Sequence, residues 1–358
     1  MKKIVISGAI IVLIIVLGIF LFRKTDSKEK ITIRVGYQTQ CAQIWSALVI
    51  KNQQLIERNI REEFPDKEVE VIWEDSPSGP PITNNMIAGK TQIGFMGDMP
   101  LLVNASKGQS HPQYRSVLLS MDGKGIRGKN QSIMIKKGEE EVSIESLRGK
   151  SVSVPFGSSA HRMLLAILEK HNLVDAVEIT NQDVSTGLIS IETDKITAHS
   201  TWEPYPAYMI HRGKSAKLVD GSESNIDYLD GIVADRNWAE AHPEYATAVV
   251  RAVLQAHAFI QANPEKAAEI FHEESSFPLE VTRQLVKSIH WDAYVYDQDI
   301  QTLKDDAVFL TSLKKIEKLS VESFWDDSYL KEATKKEKGT YPEKDALVAG
   351  WHGNVSNP

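Results

Sequence analysis

The chain of 358 residues holds a single cysteine, Cys41, so no intrachain disulfide can form and cysteine-rich zinc or iron–sulfur sites are excluded. A basic surplus is also missing. Its 41 lysines and arginines face 48 aspartates and glutamates, a formal charge of -7, the wrong sign for a general nucleic-acid binder. The ten histidines include no HExxH or other close ligand pair. Nor does the sequence contain a phosphate-binding GxxxxGK[ST] loop, a GxGxxG dinucleotide turn or a GxSxG nucleophile elbow. Cys41, read at a helix start, fits a buried inert thiol better than a nucleophile. No acidic pair is marked by its context as an acid and a base. No catalytic residue, metal or cofactor is therefore expected. Internal repeats are absent. The remaining composition, 42% hydrophobic and 25% charged, is that of a globular protein long enough for two domains.

One long apolar run is present, and it is terminal. Lys2 and Lys3 precede an uncharged stretch from Ile4 to Phe22, which as a helix at about 1.5 Å per residue would span roughly 28 Å, near a bilayer's hydrocarbon thickness. It reads as a secretory signal or a retained membrane anchor. The run exceeds a typical signal's apolar stretch and no A-x-A site follows it, which favours the anchor. No cysteine follows it to take a lipid. Arg23, Lys24, Lys28 and Lys30 lie beyond it, so charge alone does not set the orientation. Residues 1–30 are read as signal or anchor plus linker.

From residue 31 onward the chain alternates between strand and helix patterns. ITIRVGY alternates as a strand, Ile44 to Ile60 reads as a helix, and VEVIWED is a second strand. RSVLLSM, QSIMIKKG, Ser151–Pro155, KITAHSTW, AKLV and GIVAD are further strands. The chain from Asn237 to about Leu319 is mostly helical, and the segment from 321 to 358 reads as a charged, loosely held tail. Such alternation predicts an α/β protein with mainly parallel sheets.

Several strands end in residues suited to a site. VSVPFGSSAHRMLL runs from strand through Gly157, Ser158, Ser159 and His161 into a helix, leaving free N–H groups at its start, with serine hydroxyls beside them. Such a terminus can hold an anion without a cationic side chain, although Ser is equally a favoured cap. GFMGDMPLL repeats the arrangement with Gly94, Gly97 and Asp98, and Ser78 with Gly79 offers a third turn. Asp98 could cap the next helix or accept hydrogen bonds from a ligand amine. Tyr37 and Gln38 close the first strand, and Trp202 and Glu203 come just after a later one. Polar and aromatic residues at several strand ends imply a cleft at the carboxyl edges of the sheets.

Taken in order, IRVGYQ, SGPPITNNMIAGKTQIGFMGDMPLL, SIESLRGKSVSVPFGSSAHRMLLAILEKHNL, KITAHSTWEPYPAYM and the return segment from Gly231 to Phe271 resemble the ABC-transporter solute-binding proteins of the nitrate/sulfonate/taurine/bicarbonate group, over about residues 31–300. The resemblance implies a two-lobed periplasmic-binding-protein type II fold with the ligand between the lobes. Lobe 1 would comprise 31–129 and 229–320, and lobe 2 residues 130–228. It also implies a ligand site at Gln38, Gly97, Asp98, Ser158, Ser159, His161, Trp202 and Glu203. The ligand would be a small sulfonate- or taurine-like anion passed to an ABC permease, with no enzymatic role, no nucleic-acid partner and a monomeric state. Asp98 or Glu203 would favour a ligand that also carries an amine. The membrane would be met through residues 4–22, on the extracytoplasmic face, or the chain would be secreted if cleaved. A membrane-anchored ligand sensor and a small-molecule enzyme on the same scaffold are the alternatives.

Overall fold

A computed structural model of the protein describes residues 30–138 and 142–354. The apolar run at 4–22 lies outside the described residues, and no helix among those described is long and apolar enough to cross a membrane. Strand β1 (Lys30–Tyr37) buries Ile31, Ile33 and Val35 and turns Lys30 and Thr32 outward, the period-two pattern of a strand covered on one face. The segment expected as one helix from Ile44 to Ile60 is two, α1 (Ser46–Asn52) and α2 (Leu55–Glu63). Gln54 breaks it in a left-handed conformation at φ 51°, and this reorients α2 so that Leu55, Ile56 and Ile60 meet the core. Next come β2 (Glu68–Asp75), α3 (Gly79–Ile87), β3 (Ile93–Gly97), α4 (Asp98–Ser110) and the wholly buried β4 (Ser116–Gly125).

A short turn at Ile126–Gly128 then carries the chain into a second sheet. This part comprises β5 (Gln131–Lys136), β6 (Ser151–Val154), α5 (Ser159–Lys170), β7 (Glu178–Asn181), α6 (Val184–Glu192), β8 (Ala198–Trp202), α7 (Tyr205–His211) and β9 (Ser215–Asp220). A turn at Gly221–Ser224 returns the chain to the first sheet as β10 (Tyr228–Asp235). Helices α8 (Arg236–Ala241), α9 (Pro243–Ala262), α10 (Pro264–Ser275) and α11 (Leu279–Ser288) come after it. Strand β11 (His290–Trp291) and helices α12 (Asp297–Ser312), α13 (Ser328–Lys336) and α14 (Lys344–Ala349) complete the order.

The first sheet has the order β11-β4-β10-β3-β1-β2 and the second β7-β6-β8-β5-β9. Both are mixed, where the alternating pattern had suggested mainly parallel sheets. β1 runs parallel to β2 and β3, and β6 parallel to β7 and β8, but β10 is antiparallel to β3 and β4 and β5 to β8 and β9. β5 and β10 are the strands on which the chain arrives from the other sheet, so they run against their neighbours. The two crossings touch backbone to backbone. A Cβ on Gly221 would lie 2.1 Å from the Gly128 carbonyl oxygen, and Gly128 itself has φ +97°, so neither position has room for a side chain.

Helices α1, α2 and α9 cover one face of the first sheet around Ile33, Leu48, Ile56 and Val249, while Met96, Leu101, Leu118 and Leu303 fill the other. Ile133, Val152, Leu164 and Ile167 form the core of the second. The segment beyond 320 is not the loose tail its charge implied. Phe324 and Leu330 are buried, and Trp351 is 0% exposed, its Nε1 donating to Asp299 Oδ1 at 2.7 Å. Asp299 in turn pairs at 2.7 Å with Lys124, itself wholly buried on β4. A few apolar side chains spaced through a charged stretch thus fix it to the crossing strand.

Candidate functional site

A cavity of about 350 Å³ lies between the two sheets. The first half contributes Gln38 and Gln40 after β1, Ser78 and Gly79 at the start of α3, and Gly97, Met99 and Pro100 around the start of α4. The second half contributes the Pro155–Ser159 turn, Asp183 and Val184 at the start of α6, and Trp202 at the end of β8. Strand ends and helix starts converge there because each strand-to-helix turn delivers the chain to the same edge of its sheet. The walls are mostly apolar, with Met99, Pro100, Val103, Phe156, Val184 and Leu310 among them.

The turn before α5 is shaped for close approach. Gly157 has φ +81°, a left-handed value that favours glycine, and Ser158 caps the helix. Both serine hydroxyls are already engaged. Ser158 Oγ donates to the Pro155 carbonyl at 2.7 Å and accepts from His161 N at 3.2 Å, and Ser159 Oγ donates to Asp98 Oδ1. An anion at this turn would therefore meet the Ser159 and Ala160 backbone N–H groups, since those of Gly157, His161 and Arg162 are already bonded, and the positive end of the helix dipole.

Five of the eight expected site residues line the cavity: Gln38, Gly97, Ser158, Ser159 and Trp202. The Trp202 Nε1–H is spent on the Gln40 carbonyl at 2.9 Å, which ties the two halves together and leaves the indole ring as wall. Asp98, His161 and Glu203 are not brought to the cavity surface. Asp98 lies beneath it, accepting from Ser159 and from its neighbour Met99 N at 2.6 Å, and burial raises its pKa. His161 is packed between Phe156 and Phe309, with ring centroids 4.9 and 5.7 Å away, and its Nδ1 accepts from Gly157 N. Burial, with Lys315 nearby, lowers its pKa to about 4, so the ring is a neutral acceptor that fixes the turn. Glu203 faces a separate cavity behind the crossings, with Lys129, Lys217 and His290 in its wall. Its Oε2 accepts from Ala207 N at 3.0 Å, and burial raises its pKa to about 7. A ligand amine paired with Asp98 or Glu203 is not supported by these positions. Tyr37 is core, edge-on to Trp73 at 5.7 Å.

Residues that sequence reasoning missed include Gln40, Asp183, Tyr228, Leu310 and Lys315. Lys315 sits in a lysine-rich run that reads as solvated surface, and only the length and ending of α12 bring it here. The Asp183 carboxylate caps α6, accepting at 2.8 Å from both Thr186 N and Thr186 Oγ1. Cys41 is buried at the cavity floor and its thiol donates to Asp230 Oδ1 at 3.2 Å. Burial, with the Asp230 carboxylate beside it, pushes the thiol's pKa well up, so it is neutral and a poor nucleophile. The described residues contain no cluster of metal-ligating side chains.

Comparison with known proteins agrees with this architecture. The NMT1/THI5-like family profile matches residues 70–267. A putative aliphatic sulfonates-binding protein of Bacillus subtilis is 22% identical over 312 residues, covering 86% of this chain and 90% of that protein. The taurine-binding periplasmic protein of Escherichia coli is 30% identical over 200 residues, 54% of this chain and 59% of that protein. The alkanesulfonate-binding protein SsuA from Xanthomonas axonopodis pv. citri, solved bound to MOPS, shares the fold with a TM-score of 0.69 at 19% identity, covering 84% of this chain and 99% of that one.

Proposed function

The chain belongs to the NMT1/THI5-like family, and on that footing we propose that it is the extracytoplasmic solute-binding component of an ABC importer, capturing an organic sulfonate with an apolar body. In this reading the lobes are 31–129 with 229–320 and 130–228, hinged at the paired crossings, and the ligand lies between them. Closure around the ligand orders the surface offered to a permease. Residues 4–22 hold the protein to the membrane as an anchor, or direct its export.

The observation that carries the reading is the cavity itself: apolar walls ending on a glycine–serine helix start, with Asp183, which caps α6, as the one carboxylate among the described lining residues. An alkyl or aryl sulfonate matches both parts. Nitrate and bicarbonate leave the apolar walls unfilled, and the taurine ammonium has only the engaged Asp183 to meet. The enzyme alternative has little support, since the one thiol at the cavity is neutral and the nearest histidine is locked in the turn.

A thermal-shift panel on the full chain tests this, with alkanesulfonates, taurine, nitrate, bicarbonate and pyrimidines. A ligand at 100 times its Kd adds about 2.7 kcal/mol. Stabilisation by alkanesulfonates, with taurine weaker, is expected. A shift with pyrimidines alone, or none at all, would contradict the proposal.

A further inference from the structure

Lys315 is the only cationic side chain in the cavity wall among the described residues, and its position arises from how α12 ends. Lys314 takes a left-handed conformation at φ +56°, its N–H bonding to the Thr311 carbonyl at 2.9 Å, and the Lys315 N–H bonds to the Leu310 carbonyl at 2.9 Å. This glycine-like ending reverses the chain. Ile316 then inserts into the core of the first half, while Lys315 shares the cavity wall with Leu310. The lysine's stem crosses to the other half and lies over Gly157. Its Cε, Cγ and Cδ stand 3.5 to 3.8 Å from where a Cβ on that glycine would be. No carboxylate among the described residues forms an ion pair with it. Of the charged and titratable groups nearby, His161 is neutral, and Asp183, an ionised carboxylate in the same wall, is held by the Thr186 N–H and hydroxyl at the start of α6.

We propose that Lys315 is the charged recognition element of this site, its ammonium pairing with an anionic head group seated on the Gly157–Ser159 turn. The inference rests on the sulfonate reading above and adds to it the residue that makes a negative charge obligatory. The ammonium and the positive end of α5 both favour an anion placed between them. The anion thereby draws together a lysine from the first half and a helix start from the second. Ligand charge is in this way coupled to closure.

The test is calorimetry on the full chain with hexanesulfonate and with hexanol, its uncharged counterpart, at low and moderate salt. Wild type is expected to bind the sulfonate, more weakly as salt rises, and to bind hexanol feebly. Lys315→Met keeps the stem and removes the charge. It should weaken sulfonate binding by about tenfold or more and flatten the salt dependence, because charge-assisted bonds are the strong ones and are screened. Lys315→Arg should recover most of the affinity. The side chain is exposed, so all three proteins should melt alike. Sulfonate binding by Lys315→Met equal to wild type in strength and salt slope would overturn this inference alone. Failure of wild type to bind the sulfonate would overturn it together with the proposed function.

Discussion

At the residue scale, the serines of the α5 turn already serve the fold, and the one cation of the cavity wall among the described residues does not. The Ser158 and Ser159 hydroxyls looked like ligand donors in the sequence, yet each serves the fold. Ser158→Ala should therefore cost about 1 kcal/mol of stability through the lost cap, read by urea unfolding, with a smaller effect on ligand affinity. Gly157→Ala should harm both, because the position is left-handed at φ +81° and an alanine there strains the turn that presents the α5 start. Glu203 offers a pH test. Burial favours its protonated form, raising the folded pKa to about 7 from 4.5. Its contribution to stability is complete below pH 4.5 and is lost as pH rises through 7. At about 1.4 kcal/mol per pK unit, Glu203→Gln should exceed wild type by up to ~3 kcal/mol at pH 8 and match it near pH 4. Equal melting of the two at pH 8 would contradict this.

At the scale of elements, α5 is held to the first half from below the cavity. Ser159 donates to Asp98 on α4, and one turn later Arg162 pairs with Asp306 on α12. Asp306 is wholly buried, and burial, with Asp98 nearby, raises its pKa well up. Removing the guanidinium strands that acid, so Arg162→Met should lose about 3 kcal/mol in chemical unfolding. The same change should weaken ligand binding, because α5 would no longer be drawn to α4 and α12.

Local patterns located β1, β3, the α5 turn and the helical return segment, since each carries its periodicity and its turn residues within a few positions. The break at Gln54 was illegible because a single left-handed residue between two apolar stripes leaves no local mark. β7 and α6, and Asp183 between them, leave little mark in the sequence, because Glu178–Asn181 is a short edge strand lacking a strong alternation. Lys315 was beyond reach for a different reason: its role depends on a contact between residues 157 and 315, which no local pattern encodes.

For the whole molecule, the two sheets are joined by crossings that touch at Gly128 and Gly221, and the C-terminal segment is bound to one of those crossings through Trp351, Asp299 and Lys124. Trp351→Ala should cost about 3–5 kcal/mol, as the loss of a fully buried large side chain does, a result a charged surface tail would not give. The cavity's position between the sheets, on helix starts from both, would make the proposed ligand capture a property of the whole chain.

The most direct test of that claim is calorimetric titration of the full chain with alkanesulfonates of increasing chain length, alongside taurine. One site per chain is expected, with affinity rising from methyl to hexyl and a negative heat-capacity change as the apolar walls are filled. Taurine binding more tightly than hexanesulfonate, or no saturable heat with any member of the series, would contradict it.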